Sequence, residues 1–143
     1  MPIRAVIDTH LLAHGLLHPL GPAHDVIDAW LAGRFTQVTC VCLADELRHI
    51  LTHPPISAKL ALTRQQVDQF LAALLSESDV VPGNVELSVL DRFPQYDTLL
   101  SCAVEGYVNY LVTADLMLLS LGEYVGFPIL TPESFMNSLK AQS

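Results

Sequence analysis

Apolar positions along this chain alternate between two periods. Ile3 to Ile7, Gln37 to Val41, Asp79 to Val81, Tyr110 to Thr113 and Phe127 to Leu130 are short runs rich in Val, Ile, Leu and Thr, and they read as strands. Between them apolar residues recur at helical spacing. Leu11 to Leu17 is a short predicted helix, and Ala23 to Ala32 a longer one with Val26, Ile27 and Trp30 on one face. Leu43 to Leu51, Ile56 to Leu60, Asp97 to Glu105 and Leu116 to Leu121 follow the same pattern. Thr63-Arg64-Gln65-Gln66 has the form of a capping box, and the helix it starts runs to about Ser76 with Val67, Phe70, Leu71 and Leu74 inward. Thr131-Pro132-Glu133 starts the last helix, with Pro in its first turn and Glu complementing the dipole. Gly83 to Pro94 is the least regular stretch, a predicted loop with a brief helix at Val85 to Leu90. Strand and helix alternate throughout, with no internal repeat or linker. The expectation is one α/β domain over residues 1–143, built on a largely parallel sheet.

Four acids fall where these elements meet. Asp8 closes the first strand, Glu46 lies in the helix after the second, Asp97 opens a helix, and Asp115 closes the Tyr110 strand. Sites in open parallel sheets form beyond the carboxyl ends of the strands. Two carboxylates ~4 Å apart repel by roughly 4 kcal/mol at an effective dielectric of ~20. Gathered acids therefore call for a cation, or for some of them to be protonated. Each acid also has an ordinary alternative: Asp is a good helix N-cap, and a Glu within a helix is usually solvated. His10, His14 and His18 recur every four residues, as do His49 and His53. That spacing puts them on one helix face and can hold a transition metal. His18 sits beside Pro19, where the helix ends, and His53 precedes the Pro54-Pro55 pair, so solvated histidines are the simpler reading. His10 differs in following Asp8 closely enough to join a metal shell or contact a substrate.

Composition narrows the function. At 51% hydrophobic and 15% charged, the 143 residues read as globular, without a disordered tail. No apolar run approaches the ~20 residues that span a bilayer, and the short strand after Met1 is no signal peptide. A cytoplasmic protein without membrane contact is expected. Three cysteines do not make a disulfide framework. Seven basic against 15 acidic residues give a net charge of −8. That charge opposes tight duplex DNA binding and suits a basic protein partner. Among the few cations, Arg48 and Arg92 flank the acids in sequence and are the candidates for contacting phosphate.

Several segments, in order, resemble a known family. Val6-Ile7-Asp8-Thr9-His10-Leu11-Leu12 is similar to its opening hydrophobics and Asp-Thr-Asn. Ala44-Asp45-Glu46-Leu47 is similar to its Glu-bearing helix, and Pro94-Gln95-Tyr96-Asp97-Thr98-Leu99-Leu100 to the end of an Asp-rich run. Tyr110-Leu111-Val112-Thr113-Ala114-Asp115 resembles Tyr-Leu-Val-Thr-Gly-Asp, and Phe127 to Phe135 its closing strand and Thr-Pro helix start. The chain thus resembles PIN domains, of the kind found as VapC-like toxins of toxin–antitoxin pairs.

The resemblance implies a three-layer α/β/α domain with a mostly parallel sheet of four to five strands. It implies a Mg²⁺- or Mn²⁺-dependent endoribonuclease, with Asp8, Glu46, Asp97 and Asp115 as catalytic metal acids and Thr9 and Thr113 supplying hydroxyls. RNA is the implied substrate, a small antitoxin the partner and a homodimer the assembly. Three departures alter the surroundings of the acids: His10 in place of Asn or Ser, Phe93-Pro94-Gln95-Tyr96 in place of an acidic run, and Ala114 in place of Gly. They leave a second reading open, a weak or inactive PIN-like domain that binds protein or RNA. A phospho-acceptor domain is a poorer match, because Thr9 follows Asp8 and no Lys lies near Leu130.

Overall fold

The structure is a computed structural model that describes residues 2–83 and 96–142. The short helix expected at Val85 to Leu90, most of the altered segment before Asp97, and Arg92 lie outside the described residues. Strands β1 (Arg4–Ile7), β2 (Thr36–Thr39), β3 (Asp79–Val80), β4 (Tyr110–Val112), β5 (Glu123–Tyr124) and β6 (Phe127–Leu130) form one sheet in the order β3-β2-β1-β4-β6-β5. All neighbours run parallel except β5, which pairs antiparallel with β6. Helices α1 (Thr9–Leu17), α2 (Pro22–Leu31), α3 (Val41–Thr52), α4 (Ile56–Lys59), α5 (Arg64–Ser76), α6 (Asp97–Glu105), α7 (Leu116–Leu121) and α8 (Pro132–Ala141) connect them.

The central strands β1, β2 and β4 are buried on both sides, and successive side chains face opposite layers. Ala5 and Ile7 of β1 and Val112 of β4 pack with Leu12, Trp30, Leu47, Leu71 and Phe135 from α1, α2, α3, α5 and α8. Val6, Val38, Leu111 and Ile129 face the other way, toward Leu100 and Ala103 of α6 and Leu118 of α7. The result is a three-layer α/β/α arrangement.

The sheet has six strands rather than the four to five expected. The extra one, β5, has two residues and forms a hairpin with β6 through Val125 (φ 46°) and Gly126 (φ 85°). Positive φ at both central positions suits the right-handed twist of a two-residue hairpin. Val-Gly is not a common sequence for such a turn, and the pattern of apolar residues does not reveal it.

The helix starts follow their cap chemistry. Thr63 Oγ1 accepts from the Gln66 N–H at 3.1 Å, while the Thr63 N–H donates to Gln66 Oε1 at 2.9 Å, completing the capping box of α5. Thr131 caps α8 by accepting from the Ser134 N–H. Asp8 and Asp115 cap α1 and α7. The chain winds from β1 outward to β2 and β3, then returns to β4 on the opposite side of β1. The switch of direction between β1 and β4 opens a crevice beyond their carboxyl ends.

Candidate functional site

Asp8 and Asp115 stand at that switch point, on the first residues beyond β1 and near the end of β4. Parallel register brings the two strands together, with Ile7 opposite Val112 and the Asp8 N–H donating to the Val112 carbonyl at 3.0 Å. Thr113 bridges the acids. Its Oγ1 donates to Asp8 Oδ2 at 2.7 Å and accepts from the Asp115 N–H at 3.0 Å. Thr113 is fully buried. The other oxygen of Asp8 accepts from the His10 N–H at 3.1 Å. Asp115 Oδ1 accepts from the N–H groups of Met117 and Leu118, and Oδ2 from the Tyr96 hydroxyl at 2.8 Å.

Glu46 reaches the same place from α3. Its Oε1 accepts from Thr9 Oγ1 at 2.9 Å. His10 Nδ1 lies between two acids, 3.5 Å from Asp8 Oδ1 and 3.8 Å from Glu46 Oε1. Asp8, Glu46 and Asp115 line one cavity of about 160 Å³ together with Thr9, His10, Leu43, Tyr96 and Leu99. A wider one of about 390 Å³, lined by Asp8, His10, Leu11, His14, Ala114 and Asp115, opens beside it. No Lys or Arg lies on either wall among the described residues.

These contacts set the charge state. Burial disfavours the Asp8 carboxylate, but hydrogen bonds from His10 and Thr113 and the nearby imidazole outweigh it, so the pKa lies below the ordinary value. The hydrogen bond with Asp8 raises the His10 pKa against partial burial, helped by the charges of Asp8, Glu46 and Asp115. With 72% of its side chain exposed, His10 gains only a screened interaction.

The remaining sequence candidates divide. Asp97 begins α6 next to Tyr96 but lines neither cavity; its Oδ1 is buried and accepts no hydrogen bond among the described residues. Arg48 lies elsewhere. It donates to Asp68 Oδ1 of α5 at 2.7 Å and lines a separate groove between α3 and α5. Two residues along a helix turn the side chain by about 200°, so Arg48 points away from Glu46. Thr9 and Thr113 both spend their hydroxyl protons on acids, which orients the carboxylates rather than a substrate. Sequence reasoning missed Tyr96, passing over it as part of an altered acidic run. An aromatic hydroxyl just before a helix start is the signal that was there to find.

An α/β/α fold with carboxylates gathered at the switch point of its parallel sheet defines the class to which this molecule belongs. The chain belongs to the PIN domain family: a family model described as a PIN domain matches residues 4–117. No curated protein matches the chain. PIN domains have a nuclease-type fold, are generally nucleases and typically use divalent metal ions. The donor types here fit such an ion, since carboxylate and hydroxyl oxygens are the ligands of hard cations. Asp97 Oδ1 is a further buried oxygen, without a hydrogen-bond donor among the described residues. As arranged, no three His, Cys, Asp or Glu side chains among the described residues converge tightly enough to hold one ion. Among the described residues, no helix is long and apolar enough to cross a membrane.

Proposed function

We propose that this chain is a metal-dependent endoribonuclease and the toxin of a toxin–antitoxin pair, cleaving RNA phosphodiester bonds at its acidic cavity. The observation that carries the reading is the convergence of Asp8, Glu46 and Asp115 on a single cavity at the β1–β4 switch point. Asp8, Glu46 and Asp115, with Asp97 at the adjoining start of α6, would hold Mg²⁺ or Mn²⁺. When bound, such an ion would neutralise phosphate charge and lower the pKa of an attacking water.

The chain's own groups prepare the site. Thr113 and the His10 N–H keep Asp8 ionised at neutral pH and aim its oxygens. Thr9 orients Glu46, and Tyr96 with the first turn of α7 orients Asp115. Leu43 and Leu99 form apolar walls that restrict water around the acids. Because neither cavity wall carries Lys or Arg among the described residues, an RNA phosphate approaches the acids favourably only when a cation sits between them.

The net charge of −8 and the exposed Leu116, Met117 and Leu121 of α7 support the partners in this reading. A small antitoxin would lay an amphipathic segment on apolar surface and direct Arg or Lys at the carboxylates. A symmetric homodimer would cover the α7 face beside Asp115, and the protein would act in the cytoplasm.

One observation favours a second reading, a PIN-like module that binds without efficient cleavage. His10 occupies the space between Asp8 and Glu46, where an ion would compete with it. The deciding experiment incubates the purified protein with single-stranded RNA in Mg²⁺, Mn²⁺ or EDTA, beside Asp8→Asn. Cleavage that requires metal and disappears in Asp8→Asn supports the nuclease. Metal-independent cleavage, or none, rejects it.

A further inference from the structure

The wider cavity beside the acids has a wall that the chemistry above leaves unused. His14 lines it together with Asp8, His10 and Asp115 and the apolar Leu11 and Ala114. At the C-terminal cap of α1, the ring of His18 packs on that of His14, with centroids 4.3 Å apart and planes at 45°. Both side chains are exposed. At about 390 Å³ the space is more than twice the volume of the neighbouring 160 Å³ cavity.

The charge balance limits what this wall can do for an RNA strand. Affinity for phosphates comes from Lys and Arg through release of counterions. This chain carries −8 overall, and no Lys or Arg lies on the cavity walls among the described residues. A strand that enters must gain affinity from contacts independent of its charge. Stacking of unpaired bases on aromatic or imidazole rings supplies them, at roughly five- to 150-fold in affinity per base.

We propose that His14, braced by His18, is a substrate-contacting residue that stacks one unpaired nucleobase of a strand whose phosphate lies near Asp8 and Asp115 only with a cation between them. This rests on the ribonuclease reading and adds to it a requirement for an unpaired base at the cavity. His18 limits the rotamers of His14 from one side, and Leu11 and Ala114 offer the base edge an apolar surface. Base-paired RNA, whose bases are already stacked on one another, gains nothing from this wall.

The test uses the full chain and a short single-stranded RNA carrying a fluorescent adenine analogue, whose emission is quenched on stacking. Binding is measured in Ca²⁺, a hard oxygen-binding cation, and cleavage in Mn²⁺, for wild type, His14→Ala, His14→Phe and His14→Lys, with circular dichroism to verify folding. The expected result is quenched binding by wild type, about tenfold weaker and without quenching in His14→Ala. His14→Phe should restore both, His14→Lys should not restore the quench, and the cleavage defect of His14→Ala should fall in KM rather than kcat. Wild-type binding without quenching, an undiminished His14→Ala complex, or rescue by Lys instead of Phe would overturn the proposal. A His14-dependent quench in a protein that cleaves nothing would uphold the base contact while rejecting the nuclease reading.

Discussion

The acidic cavity and the α3–α5 groove both take side chains from helix α3, Glu46 for one and Arg48 for the other. The groove is the larger at about 520 Å³, and it holds two arginines, Arg48 and Arg64, above an apolar floor of Leu51, Leu60, Leu62 and Val67. By size and cationic charge it would be the better guess for a phosphate site. Its polar contact, however, is an ion pair between Arg48 and Asp68, with 51% and 50% of the side chains exposed. Such pairs contribute roughly 0–1 kcal/mol. In the acidic cavity, buried Thr113 and nearly buried Asp8 hold each other in place, and Thr9, Tyr96 and backbone N–H groups aim the other carboxylates. Orientation by a network of hydrogen bonds centred on the buried Thr113–Asp8 pair, rather than cavity volume or charge, distinguishes the two places.

The sharpest way to break this comparison is to damage each side and follow RNA cleavage. Asp8→Asn keeps an acceptor for the His10 N–H but removes the charge. Losing several kcal/mol of transition-state stabilisation should lower kcat by roughly a hundredfold or more. Arg48→Ala should stay within about twofold of wild type, and an equal loss in both variants would place substrate in the α3–α5 groove as well. Stability in EDTA gives the next largest contrast. Thr113→Val strands Asp8 Oδ2 and the Asp115 N–H and should destabilise by about 1–3 kcal/mol in urea denaturation. A change below ~0.5 kcal/mol would mean that water replaces the hydroxyl and that the bridge is dispensable.

The pH dependence of that stability should carry two signs. Asp8 has a lowered folded pKa, so its contribution is present above the ordinary 3.8 and is lost as pH falls through the folded value. His10 has a raised folded pKa, so its contribution is complete below 6.5 and is lost as pH rises through the folded value. Thermal melts in metal-free buffer should show both limbs in wild type and only the acidic one in His10→Asn. An alkaline limb that persists in His10→Asn would assign it to another group. The smallest effect belongs to the groove, where a double-mutant cycle on Arg48 and Asp68 should give a coupling below about 1 kcal/mol.

Much of the scaffold was legible because burial on both faces leaves short apolar strands with little alternative. Helices α6 and α7 start and end where the apolar pattern places them, and the capping box at Thr63 forms both of its hydrogen bonds. The hairpin at β5 was not legible, since its turn depends on Val125 adopting a positive φ that side chains with branched Cβ rarely take. Around the site, the acids that follow strands were the easiest to place, because parallel register decides where Asp8 and Asp115 go. Arg48 shows where sequence proximity misleads: two residues from Glu46 on a helix means the opposite side. Asp97 shows a subtler case. Its helix begins where expected, yet the residue before it, Tyr96, is the one that reaches into the cavity.

Binding of Mn²⁺, followed by the loss of its free electron paramagnetic resonance signal, tests most directly whether these acids form a metal centre. Wild type should bind Mn²⁺ in the absence of RNA, Asp8→Asn and Asp115→Asn should each weaken it by roughly tenfold or more, and Arg48→Ala should leave it unchanged. Undiminished binding in Asp8→Asn and Asp115→Asn, or none in wild type, would contradict a divalent metal site at the β1–β4 switch point.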